Sequence, residues 1–306
     1  MVNVTAADVK TLRERTGAGL MDCKNSLEKC NNNMEEAIDW LRKKGLSAAA
    51  SKAGRIAADG LVGARVDGTT GSVVEINSET DFVARNEKFQ KYAQEVLDLV
   101  CGSGLGVDSL KAAAHPERNH SVQDELSSLI GIIGENLSIR RVAHLTVSQG
   151  VVACYVHNRV SPHLGKKAVL VGLESAGDRT KLLEFGKQLA MHILATDSRS
   201  VSLEDLDPEL VAREKAIVQE QVQQAGKAQF ADKIVEGRMR KFYEEVVLLE
   251  QTSALDGETK IKDLIAKTSG ELGAPISVSG FVRYVLGEGI EKQATNFAAE
   301  VAAQLN

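Results

Sequence analysis

The chain has 306 residues, of which 43% are hydrophobic and only 4% are aromatic, and its formal net charge at pH 7 is −5. A chain of this length is predicted to bury cores of Val, Ile, Leu and Ala in two or three domains. The acidic balance argues against bulk binding to nucleic-acid phosphates, and no apolar run approaches the roughly 18 residues of a membrane span. The N-terminus also lacks an export signal, so we expect a cytoplasmic protein with reduced cysteines.

Residues 1–54 are predicted to form a unit of three helices. Thr5-Ala-Ala-Asp8 has the capping-box pattern of a helix start, and Thr16-Gly-Ala-Gly19 ends that helix. A second short helix follows, and Asn33 caps a third. The run of small residues from Ser47 to Gly54 indicates a linker to the rest of the chain.

Alternating apolar residues after the linker indicate strands. Residues 61–66 and 72–76 are predicted to form a β-hairpin with a turn at Asp67-Gly68. The chain then continues as a helix, an irregular polar stretch, a second helix and a strand, predicted at 88–100, 107–123, 123–134 and 137–147.

The connection between the hairpin and the first of these helices carries a lone aromatic residue, Phe82. One interpretation is that Phe82 folds back under the helix start, with Thr80 or Asp81 as the N-cap. The other is that Phe82 is exposed and binds another molecule, because loops at strand–helix joins often carry function.

The same order of elements recurs later in the chain. A second hairpin is predicted from residues 151–157 and 167–173. It is followed by predicted helices at 181–194 and 260–272 and by a predicted strand at 277–286. We interpret this order as an internal repeat of one α+β unit. Where the first copy has Glu79-Thr-Asp-Phe-Val83, the second has Glu174-Ser-Ala-Gly-Asp178. A packing role that the fold required should have recurred, so the missing aromatic favours a functional role for Phe82.

An insertion and a terminal helix complete the predicted α+β fold. Two amphipathic helices, joined at Gly226, interrupt the second copy and predict an antiparallel helical hairpin. A C-terminal helix is predicted from Glu291 to Gln304. The predicted domains are an N-terminal unit, a first core unit, a second core unit with its inserted hairpin, and a C-terminal helical module, at 1–54, 55–147, 148–286 with 208–247, and 287–306.

Sequence patterns of enzymes are missing. We find no phosphate-binding P-loop, no G-x-S-x-G elbow and no H-E-x-x-H zinc motif. His192, on the apolar face of a predicted helix, is by default a core histidine. We therefore predict no catalytic residues, no metal and no cofactor, and a protein that acts by contact. The alternative is an enzyme or scaffold without a local signature.

Thr80-Asp-Phe-Val83 follows the predicted strand at 72–76 and resembles the signature of elongation factor Ts, the nucleotide exchange factor for elongation factor Tu. Further segments resemble this family in its order, from about residue 3 to the C-terminus. They are Arg13-Glu-Arg-Thr-Gly-Ala-Gly19, Met21-Asp-Cys-Lys24, Gly134-Glu-Asn136, Ile139-Arg-Arg141, Ala190-Met-His192, Val235-Glu-Gly-Arg-Met239 and Gly287-Glu-Gly-Ile-Glu291.

The resemblance implies an exchange factor without catalytic chemistry, whose partner is elongation factor Tu. It implies that Thr80, Asp81, Phe82 and Val83 form the exchange contact, with Phe82 as a wedge that displaces the partner's Mg²⁺. The three-helix unit is then similar to a ubiquitin-associated domain and docks on the GTPase domain, as does the last helix. Further partner contacts are implied at Arg13, Gly17, Gly19, Met21, Met191 and His192. A one-to-one complex and a dimer of such complexes both suit these surfaces; no nucleic acid or membrane partner is expected.

Overall fold

The computed structural model describes residues 3–118, 120–224 and 231–291. Within these ranges helices and antiparallel strands are mixed, as predicted for the α+β class. The α-helices α1 to α10 are Ala6–Thr16, Leu20–Lys29, Met34–Lys52, Glu87–Ser103, Val107–Ala112, Val122–Ile133, Arg179–Thr196, Pro208–Gln224, Ala231–Val246 and Ile261–Leu272. The strands β1 to β7 are Asp59–Asp67, Thr70–Ser78, Leu137–Thr146, Gly150–His157, Leu164–Gly165, Lys167–Glu174 and Ser277–Val285. None of the helices in these ranges has the length and apolar composition needed to cross a membrane.

The helix starts at the N-terminus follow the predicted caps. Thr5 and Asp8 form a capping box at the start of α1, and the Asn33 side chain accepts backbone N–H groups at the start of α3. Gly17 ends α1 with φ of +68°, a left-handed conformation that glycine adopts at low cost. The three helices enclose a small core of their own, formed by Val9, Leu12, Ala18, Cys23, Leu27 and Ala37.

The prediction of a linker at Ser47–Gly54 is wrong for most of its length, because α3 continues to Lys52. Its second half packs on α6, where a Cβ atom on Gly131 would lie only 3.2 Å from the Cα atom of Gly45. Small residues in this part of α3 therefore allow a close helix crossing, and they fasten the N-terminal helices to the core. The domain boundaries themselves stay predictions.

The two sheets confirm the repeated order of elements. One sheet has the strand order β3-β2-β1-β5 and the other β4-β6-β7. In each copy the second hairpin strand is central, flanked by the first hairpin strand and by the strand that follows the helices. The sequence missed β5, whose two residues pair with Val62 and Gly63 of β1. This short strand comes from the second copy and extends the sheet of the first.

The hydrophobic cores lie between the two sheets and between each sheet and the helices packed on it. One face of β1 and β2, including Leu61, Val74 and Ile76, packs with residues of α4 and α6. The opposite face, including Val62 and Val73, packs with residues of the second sheet. The second sheet's other face packs with α7 and α10. The central strands β2 and β6 are therefore buried on both faces.

Two further predictions, for residues 107–123 and for the inserted helices, have different outcomes in the structure. Residues 107–123 were predicted as irregular, but Val107–Ala112 forms α5, a single short helix without a capping side chain. The inserted helices are present as α8 and α9 and pack through Val218, Val222, Val235 and Met239. Gly226 and all but the first residue of the predicted C-terminal helix lie outside the described residues.

Candidate functional site

The chain turns sharply between β2 and α4, and we call residues 79–85 the Phe82 turn. Its second half is a single turn of 3₁₀-helix at Val83–Arg85. Asn86 then caps α4, since its side-chain oxygen accepts the N–H groups of Lys88 at 3.0 Å and Phe89 at 3.3 Å. The prediction of an N-cap at Thr80 or Asp81 is therefore wrong. The extra 3₁₀ turn moves the helix start several residues further along the chain.

Phe82 and Val83 differ sharply in exposure. Phe82 is 76% exposed, more than any other large hydrophobic residue in the described part of the chain. Val83 is only 4% exposed and packs, with Ala84, in the core of the first repeat. The interpretation of Phe82 as a packing residue is thus wrong, and Val83 provides the anchor instead. A free phenyl ring gains nothing for folding, so this position is suited to burial by another molecule.

Hydrogen bonds hold the turn from its other end. The Thr80 N–H donates to the carboxylate of Glu135 at 2.9 Å, and the Thr80 hydroxyl donates to the same carboxylate at 2.7 Å. In return, the carboxylate of Glu79 accepts the N–H of Asn136 at 2.6 Å. Thr80 is half-buried, whereas Asp81, which precedes Phe82 in the chain, is exposed. Of the four predicted contact residues, Asp81 and Phe82 are therefore presented to solvent, while Thr80 and Val83 fix the turn.

The predicted docking residues of the N-terminal helices are attached close to this turn. Met21, at the start of α2, is 61% exposed, and Arg13 and Gly19 are also exposed. The Gly17 carbonyl accepts a hydrogen bond from the Lys88 ammonium at 2.6 Å, and Lys88 lies in the first turn of α4. The segment between α1 and α2 is thus fixed to the helix that follows the Phe82 turn.

His192 does not present a contact surface. The ring is only 2% exposed, on the inner face of α7. Its Nδ1 accepts the N–H of Ala254 at 3.1 Å, so the proton is on Nε2, which donates to Gln251 Oε1 at 2.9 Å. Burial lowers the pKa of His192 below its usual value, and the bond to Gln251 opposes this shift. The core-histidine interpretation describes His192, and its neighbour Met191 is half-buried.

Sequence reasoning missed a buried ionic cluster around Glu75 of β2. Its fully buried carboxylate accepts hydrogen bonds from Arg140 at 3.0 Å and Arg141 at 2.5 Å, and from the N–H of Gly287 at 2.9 Å. Burial alone would raise the pKa of Glu75, but the hydrogen bonds from Gly287, Asn77 and Arg141 together lower it. The cluster fastens the turn after β7 to the first sheet. The signal for it was the charge of Glu75 between the apolar residues Val74 and Ile76 of the strand.

The described residues contain no cluster of three or more His, Cys, Asp and Glu side chains arranged to hold a metal ion. The Phe82 turn carries an exposed aromatic residue and an exposed acidic residue, Phe82 and Asp81, on a backbone held at both ends by Thr80 and Val83. Such an arrangement suits insertion into a protein surface.

Comparison with known proteins gives a consistent result. A family model described as Elongation factor TS matches residues 79–288. Over 304 residues, the chain is 51% identical to the protein named Elongation factor Ts of Rhodospirillum centenum, with 99% of each chain covered. It is 52% identical over 307 residues to that of Rhodospirillum rubrum, covering 100% of this chain and 99% of the relative. It is 51% identical over 304 residues to that of Zymomonas mobilis, again with 99% of each covered.

Proposed function

The chain belongs to the elongation factor Ts family, and we propose that it acts as the guanine nucleotide exchange factor for elongation factor Tu. The observation that carries this proposal is the exposed Phe82 ring on a turn anchored by Val83 and Thr80. The turn lies within the range that the family model matches.

Exchange requires only a difference in affinity. A factor that binds the nucleotide-free GTPase more tightly than the GDP-loaded form weakens GDP binding by the same ratio, because the two binding equilibria are linked. GTP then enters the empty site. Covalent chemistry is not required of the factor, so we propose that this chain is not an enzyme and that it acts in the cytoplasm during translation elongation.

We assign the wedge to Phe82 and the adjacent charge to Asp81. Insertion of the ring between helices of the partner's GTPase domain would bury apolar surface that is exposed in the free protein. The Asp81 carboxylate would enter the same region, where Mg²⁺ and the phosphate loop hold GDP. Together the two side chains disturb the partner's Mg²⁺ site. The metal belongs to the partner, and this chain uses no cofactor.

Docking is assigned to two other surfaces. The GTPase domain would be contacted by the exposed Met21 and by Arg13, Gly17 and Gly19 around the end of α1. The resemblance to the family implies this contact. Met191 on α7 would contact another domain of the partner. His192 supports this second surface from inside through its bonds to Gln251 and Ala254. The mechanism needs one copy of each protein, and the mass of the co-purified complex distinguishes this from a dimer of such complexes.

The test uses elongation factor Tu loaded with a fluorescent GDP. We expect the purified chain to form a complex with it and to accelerate release of the nucleotide in the presence of excess unlabelled GDP. The control reaction contains the loaded GTPase without the chain. Absence of both a complex and accelerated release would contradict the proposal and favour the alternative, an enzyme or scaffold without a local signature.

A further inference from the structure

We propose that Glu135 is a positioning residue for exchange: it sets the direction of the Phe82 ring without touching the partner. This inference rests on the function proposed above. Glu135 lies in the short connection between α6 and β3, far from Phe82 in sequence. It is half-buried, whereas Phe82 and Asp81 are exposed.

The contact between Glu135 and Thr80 restrains the turn in two ways. Oε2 of Glu135 accepts the Thr80 backbone N–H at 2.9 Å, and Oε1 accepts the Thr80 hydroxyl at 2.7 Å. Two bonds to one carboxylate fix both the position of the peptide and the rotation of the side chain. Because Thr80 stands only two residues before Phe82, this contact fixes the backbone from which the ring projects.

A second contact runs in the opposite direction between the same two segments. The Glu79 carboxylate accepts the Asn136 N–H at 2.6 Å, and the Asn136 side chain donates to the Arg55 carbonyl at 2.7 Å. Arg55 lies 3.6 Å from Glu79 in an ion pair and follows α3, the last N-terminal helix. The turn, the α6–β3 connection and the exit from the N-terminal helices are therefore held together.

Val83 completes this arrangement on the other side of Phe82. The ring projects between an anchor buried in the core and an anchor bonded to Glu135. A turn that is ordered before binding does not have to be ordered by the partner, so more of the contact energy is available to distort the nucleotide site. Because the ring is proposed to insert on the route to the nucleotide-free state, we expect loss of Glu135 to affect the exchange step more than the affinity.

The second repeat supplies a matched control. Glu174, at the end of β6, accepts hydrogen bonds from the N–H and hydroxyl of Ser148 at 2.8 and 3.1 Å and from the N–H of Gln149 at 2.8 Å. Its carboxylate thus makes the same kinds of bonds as Glu135, in a turn without an exposed aromatic residue. Glu174→Ala tests the loss of such bonds away from the Phe82 turn.

The experiment has one measurement without the partner and one with it. In the free protein, Glu135→Ala should lower the hydrogen-exchange protection of the Thr80 amide at least about tenfold, because its acceptor is lost. With elongation factor Tu at saturating factor, Glu135→Ala should slow GDP release roughly fivefold. The half-saturating concentration should stay near wild type, and Glu174→Ala should leave both measurements unchanged.

Some outcomes would overturn the inference alone. If Glu135→Ala loses Thr80 protection but releases GDP at the wild-type rate, while Phe82→Ala is slow, Glu135 does not position the ring. Unchanged Thr80 protection would also overturn it. If Phe82→Ala releases GDP normally as well, the proposed function of the turn fails and the inference fails with it. Should Glu135→Ala not fold, Thr80→Val, which removes only the hydroxyl contact, is expected to slow release in the same direction; normal release by Thr80→Val would then overturn the inference.

Discussion

Phe82 and Val83 are neighbours in the chain, but the Phe82 side chain is exposed to solvent and the Val83 side chain is buried in the core. The Phe82 side chain is 76% exposed, and the Val83 side chain is 4% exposed and packed in the first core. The single turn of 3₁₀-helix at Val83–Arg85 produces this reversal. One residue anchors the turn and the preceding residue is free to bind another molecule.

The first prediction concerns the stabilities of these two positions. Phe82→Ala should change the free energy of unfolding by no more than about 0.5 kcal/mol, because an exposed side chain loses few contacts. Val83→Ala should cost roughly 1–3 kcal/mol through the cavity it leaves. Urea unfolding followed by circular dichroism measures both. A larger loss for Phe82→Ala than for Val83→Ala would contradict the assigned roles.

The second prediction concerns the pH dependence of stability through His192. The unfolded chain takes up a proton on this residue near pH 6.5, and the folded protein only at a lower pH, because its pKa is lowered by burial. Between these values the unfolded state binds more protons, so stability is lost as pH falls through 6.5. His192→Gln should remove this component. Equal loss of stability in wild type and variant between pH 7.5 and 5.5 would contradict it.

The third prediction concerns the crossing of α3 and α6. Gly131→Ala places a Cβ atom 3.2 Å from the Cα atom of Gly45, so the helices must move apart. We expect a loss of roughly 1–3 kcal/mol and weaker binding to the partner, because the N-terminal helices shift. The control is Gly237→Ala in α9, where an added Cβ atom would meet nothing within 4 Å outside its own stretch of helix, and it should stabilise by about 0.5–1 kcal/mol. Equal effects of the two variants would show that the crossing is not tight.

The fourth prediction concerns the buried carboxylate of Glu75. Glu75→Gln should cost roughly 3–5 kcal/mol, because Arg140 loses its carboxylate partner and Arg141 keeps only the more distant Glu288 at 3.6 Å. The control is Asp98→Asn, which removes the partner of Arg65 in an ion pair that is nearly half exposed. That change should cost less than about 1 kcal/mol. Similar melting temperatures for the two variants would argue against a structural role for the Glu75 cluster.

Much of the fold could be predicted from local signals. Capping residues such as Thr5 and Asn33 and the alternation in β1 and β2 depend on neighbours within a few residues, and the structure confirms them. The repeated order of elements could also be predicted, because strand-like and helix-like spacings of apolar residues follow one another in the same order in each copy. A two-residue strand such as β5 has no period to detect and exists only through pairing with β1.

The candidate site was predictable in place but not in detail. Phe82 stands out because no aromatic residue occupies the matching position of the second copy. Thr80 could not be recognised as a tethered residue, since its acceptor Glu135 lies 55 residues away. For His192 the default interpretation as a core histidine was correct, but its partner Gln251, 59 residues distant, could not be recognised from the sequence. Contacts between distant segments decided both cases.

The fifth prediction tests the central claim, that Phe82 drives nucleotide release. Stopped-flow fluorescence measures GDP release from elongation factor Tu over a range of factor concentrations, for wild type and Phe82→Ala. The control, Leu203→Ala, truncates another large apolar residue, 45% exposed, between α7 and α8. We expect Phe82→Ala to release GDP more slowly than wild type even at saturation, while Leu203→Ala matches wild type. A wild-type rate of release at saturation for Phe82→Ala would contradict the account.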